Sequence, residues 1–93
     1  MPTKSAKSEH VEMLRARLAL WNAELEELRA RAGGRADLER AVAELVRLRD
    51  AAAEQTKAIE SAGSGWERLI SGVEKEFEAL GDAFGRTRSR FGE

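Results

Sequence analysis

His10 is the only histidine in a 93-residue sequence that has no cysteine, so metal-ligating or proton-transfer chemistry would have to begin there. Its nearest carboxylates, Glu9 and Glu12, are one and two positions away. On a helix those offsets send side chains in different directions, whereas a zinc-type site needs several ligands converging on one ion. A surface histidine and no bound metal are expected. Carboxylates also cluster as Glu24, Glu26, Glu27 and as Glu74, Glu76, Glu78. General acid–base catalysis requires a buried pair whose pKa values are driven apart, and these residues alternate around a solvated helix face. The serines have no imidazole partner within reach of a nucleophile's needs. Gly63-Ser64-Gly65 lacks the third glycine and the preceding strand of a dinucleotide-binding turn. No catalytic, cofactor-binding or metal residue is assigned, and the chain is expected not to be an enzyme.

Two kinds of residue remain that could make contacts outside the chain. Arg86, Arg88 and Arg90 follow an acidic stretch and could touch phosphate or an anionic membrane surface. Near the end of a helix they also complement its dipole, which is the structural alternative. Trp21 and Trp66 lie among regularly spaced apolar residues, where packing is the commoner role of an indole. Asn22, beside Trp21, is placed either in solvent or in an interhelical hydrogen bond.

The elements that carry these residues are helices. Sixteen alanines, 35% charged residues and a single proline at position 2 leave nothing inside the chain to break a helix by ring geometry. Sixteen basic and seventeen acidic residues give a formal charge of −1, which removes a broad basic face and makes nucleic acid an improbable partner. The absence of cysteine excludes disulfides and leaves the redox compartment open. No apolar run approaches membrane-spanning length and residues 1–7 precede no apolar segment, so a cytoplasmic protein is expected.

Residues 1–7 read as a disordered leader, with 8–93 as one helical domain. Ser8 is placed to cap a first helix over 8–32, whose seam is Val11, Leu14, Leu18, Trp21, Leu25, Leu28 and Ala32, with Met13 and Leu20 widening the apolar face. Gly33-Gly34 ends it. Asp37 is placed to cap a second helix over 37–62, whose apolar face is Leu38, Ala41, Val42, Leu45, Val46 and Leu48, with Ile59 restoring the stripe. Between them, 49–58 carries no large apolar side chain, so its alanines either allow close helix approach or stand partly in solvent. Ser64 and Glu67 fit a capping box for a third helix over 65–90. Its seam is Trp66, Ile70, Val73, Phe77, Leu80, Phe84 and Phe91, with Thr87 the one polar member. Glycines 72, 81 and 85 soften this helix and could admit a neighbouring backbone. Expected surface pairs are Glu12 with Arg15, Glu26 with Arg29, Glu27 with Arg31, Asp37 with Arg40, Glu44 with Arg47 and Glu54 with Lys57.

Two all-α architectures satisfy this pattern. Three amphipathic helices of matched length can fold into an antiparallel bundle or coiled coil, roughly 40 Å long at 1.5 Å per residue. Alternatively, the spacing of seven that links Leu38, Leu45, Ala52, Ile59, Trp66, Val73 and Leu80 could run through the glycines. That gives a helical hairpin with one long continuous C-terminal helix, which must dimerise to cover its seam. The capping box and equal lengths favour three helices.

The runs Glu9 to Leu28 and Ser64 to Leu80, closing with Ser89-Arg90-Phe91, resemble a group of small bacterial coiled-coil proteins of unknown function. Trp21-Asn22-Ala23-Glu24 and the Ser-Gly-Trp-to-Phe segment carry the likeness, which spans most of the chain; Gly33-Gly34 departs from that group's nearly uninterrupted helical middle. The resemblance brings no catalytic residue with it.

A structural or protein-interaction module is therefore expected, one that self-associates or binds a helical partner through its apolar seams. The alternatives are peripheral lipid-surface binding by opened amphipathic helices and, more weakly, nucleic-acid contact through the C-terminal arginines.

Overall fold

The computed structural model describes residues 6–92, and they form three helices: α1 (Ala6–Ala32), α2 (Ala36–Ser61) and α3 (Glu67–Phe91). At 27, 26 and 25 residues they match closely enough to lie side by side over their full lengths. The outcome is an all-α, up-down-up three-helix bundle measuring 50 × 25 × 17 Å. The hairpin with a continuous second half is excluded, because α2 stops at Ser61 and α3 returns along it.

The glycine turns work in different ways. Gly34 adopts φ +86°, the left-handed conformation that closes a helix without a Cβ penalty, and the Arg35 amide donates to the Ala32 carbonyl at 2.9 Å. At the second turn the Ala62 amide donates to Ala58 O at 3.0 Å, ending α2. Ala62 itself is extended, and a tight turn from Gly63 O to the Trp66 amide, 3.2 Å, leads into α3.

The expected caps are corrected. α1 already includes Ala6 and Lys7, so the two last residues of the expected leader are helical and Ser8 lies inside the first turn; the other five lie outside the described residues. A tertiary contact accompanies this start: the Lys7 ammonium donates to the carbonyls of Ala62, 2.8 Å, and Glu60, 3.2 Å, at the negative end of α2. α2 is preceded by Arg35, with no side-chain hydrogen bond at its start, and Asp37 sits one residue into the helix. Trp66 occupies the cap position of α3, again without a side-chain bond, so Ser64 and Glu67 form no capping box.

The seams close on one another. Val11, Leu14, Leu18, Leu25 and Leu28 of α1 are buried, as are Leu38, Val42, Leu45 and Ile59 of α2 and Val73, Phe77, Leu80 and Phe84 of α3. Trp21, Trp66 and Phe91 are half-buried against this core, and Ile70 is intermediate. α2 approaches both neighbours closely, while the α1 and α3 backbones stay farther apart. The small residues of α2 explain its position: Ala52 and Thr56 are buried, and the Thr56 hydroxyl bonds back to Ala52 O at 2.9 Å. Gly72 of α3 faces the Gln55 side chain, at 3.4 Å from where a Cβ would stand. The alanine-rich middle of α2 thus serves close approach.

The wider gap between α1 and α3 is filled by rings. Trp21 lies 5.9 Å from Phe84, nearly parallel, and 5.3 Å from Phe77, tilted.

Candidate functional site

His10 is half-buried at the end of the bundle, its ring 6.0 Å from that of Trp66. Among the described residues no three His, Cys, Asp or Glu side chains gather as a metal site would require. The two acidic runs divide among different surroundings. Glu24 pairs with Arg88 across α1 and α3, Glu26 pairs with Arg29 at 3.2 Å, and Glu27, Glu74 and Glu78 are exposed.

Surface pairing follows the expected list only in part. Glu26 with Arg29 and Glu44 with Arg47 are present. Arg15 instead crosses to α2, where its Nε donates to Glu60 at 3.0 Å. That hydrogen bond and the Glu60 charge raise the Arg15 pKa above its ordinary range. Asp37 turns to Arg35, 3.6 Å, and not to Arg40, while Arg31 lies 5.3 Å over the Phe91 ring in place of a bond to Glu27. Glu54 and Lys57 form none of the ion pairs among the described residues. Asn22, exposed on α1, accepts a hydrogen bond from Arg49 of α2, so the interhelical alternative holds.

The three terminal arginines separate. Arg88 faces α1 and pairs with Glu24. Arg86 and Arg90, four residues apart, line a groove of about 780 Å³ between α2 and α3, joined there by Arg40 and by the carboxylates Asp37 and Glu44. The local sequence grouped Arg88 with Arg86 and Arg90, and it paired Arg40 with Asp37 without showing that α3 would bring Arg86 and Arg90 beside it.

A second correction concerns α1. Met13 and Leu20 do not widen the inward face; they are 49% and 73% exposed. They stand on the side turned away from α2 and α3, with Ala16 and Ala23 between and beyond them, all exposed. The gaps 13, 16, 20, 23 alternate three and four, so α1 carries a second, shorter apolar row besides its core seam. The signal was present in the sequence, since at about 100° per residue these positions lie opposite the Val11-to-Leu28 row. Among the described residues the other exposed large apolar side chain is Leu69, which stands alone at the start of α3.

No helix among the described residues is long and apolar enough to cross a membrane. No family model, no curated protein and no solved structure matches this chain.

Proposed function

We propose that this protein is a non-enzymatic structural or interaction module, and that its work is to associate through a helical apolar face with a copy of itself or with a helical protein. The observation that carries this reading is the row on α1. The three main seams meet inside one chain, yet Met13 and Leu20 remain in water at heptad spacing. Full burial of such a side chain is worth roughly 1.5–3 kcal/mol, and an intermolecular contact would supply the part of it that each still lacks. The inward seams named from the sequence then act as scaffold, and the outward row as contact surface.

A lipid-surface role would require the bundle to open, because the aromatic residues that would enter the interface, Phe77 and Phe84, are buried. Nucleic-acid contact is weakened by the engagement of Arg88 with Glu24 and by the acidic residues beside Arg86 and Arg90.

The test is molar mass by light scattering from micromolar to millimolar protein, together with a spectroscopic check of helicity. A mass that rises with concentration while helicity stays constant is the expected result. A constant monomer mass over the whole range would leave self-association without support.

A further inference from the structure

We infer that a second copy of this chain pairs with α1 in parallel and in register, making a two-stranded contact along Met13, Ala16, Leu20 and Ala23; this rests on the self-association reading above. With Met13 and Leu20 as the first position of each heptad, Ala16 and Ala23 become the fourth. Large residues would then meet large ones across the twofold axis. The alanines, having no bulk beyond Cβ, let the two backbones come close enough for Met13 and Leu20 to be covered. α2 and α3 pack on the other side of α1, so neither obstructs the approach.

The flanking charges choose the direction. In a parallel pair each seventh-position residue faces the fifth-position residue of the next heptad on the other chain. Glu12 then faces Arg17 of the partner subunit, and Glu26 faces Arg31 of the partner subunit, with both contacts repeated by symmetry. An antiparallel pair that sets Leu20 over Ala16 instead brings Glu12 against Glu26 and Arg17 against its own copy. Glu9 and Glu27 meet like charges either way, so they do not discriminate between directions, but they close the apolar row at both ends.

Arg17 and Arg31 are also held in place for this role. Arg17 stacks 5.0 Å over Phe77 and Arg31 5.3 Å over Phe91, which anchors each guanidinium beside the row. A stacked guanidinium keeps its edge N–H groups available to a carboxylate. The row covers only two heptads, less than a standard protein–protein interface, so the dimer is a weak one that fills at high protein concentration.

Sedimentation equilibrium on the full chain, its Leu20→Glu variant and an Ala23→Cys variant tests this pairing. Leu20 is exposed, so Leu20→Glu should keep parent helicity while raising the concentration for half-dimerisation at least tenfold. Ala23→Cys, in a chain with no other cysteine, should form disulfide-linked dimers under mild oxidation much faster than Asp50→Cys, an exposed control on α2. A dimer unaffected by Leu20→Glu would overturn the pairing while leaving self-association intact, and a chain that is monomeric throughout would overturn both. A dimer broken by Leu20→Glu but not linked through Ala23→Cys would refute the parallel direction.

Discussion

Leu20 and Trp21 are chain neighbours with opposite surroundings, and the contrast separates what holds the bundle from what it offers outward. Trp21 fills the space between α1 and α3 against Phe77 and Phe84. Removing it leaves a cavity bordered by two rings, so Trp21→Ala should lower unfolding free energy by about 3 kcal/mol or more. Leu20 touches little of the core, and Leu20→Ala should change the stability of dilute protein by no more than about 0.5 kcal/mol. Urea titrations of both variants measure the difference directly; equal losses would contradict the outward placement of Leu20. Arg15 supplies a pH test. Its folded-state pKa is raised by Glu60, so its contribution is complete below the unfolded-state value and is lost only as pH rises through strongly alkaline conditions. The stability difference between the parent and Arg15→Gln should therefore be flat from about pH 6 to 10. At this scale the sequence revealed spacing better than partnership. The periodicity that marks Leu14 or Phe84 as core belongs to one helix, whereas the link from Arg15 to Glu60 needs two helices already docked.

Helix ends show where local signals yield to tertiary ones. Ser8, Asp37 and Ser64 are good capping residues by type, yet α1 starts earlier and the other two helices begin without a side-chain cap. Lys7 reaching the carbonyl end of α2 is a contact that no window on α1 alone could reveal. The first glycine turn was legible, because a helix followed by Gly33-Gly34 has few other ways to reverse. Its energetics can be checked through contrasting substitutions. Gly34→Ala forces a Cβ into the left-handed region and should destabilise by about 1–2 kcal/mol. Gly85→Ala, inside α3 with open space where the methyl would go, should stabilise by about 0.5–1 kcal/mol through better helix propensity. Thermal unfolding of the two variants should move in opposite directions. A shared direction would mean that the backbone at one of them differs from that described.

At the scale of the molecule, the unbroken spacing of seven from Leu38 to Leu80 could not distinguish a rod from a bundle, since both keep the same residues on one face. The decision lies in 62–66, where an extended Ala62 and a tight turn reverse the chain. Once reversed, the third seam finds its cover within the same molecule, and no second chain is needed to hide the core. The outward apolar row on α1 was harder to find. Its two large residues look like additions to the main seam until the positions of α2 and α3 show which side of α1 is covered.

The most direct measurement is small-angle X-ray scattering from the protein at high dilution. A chain whose three seams close internally should give a radius of gyration near 15.3 Å, the value of its Cα trace, and an envelope close to 50 × 25 × 17 Å. A continuous α2–α3 rod of roughly 80 Å would give a value above about 20 Å and would contradict the closed bundle.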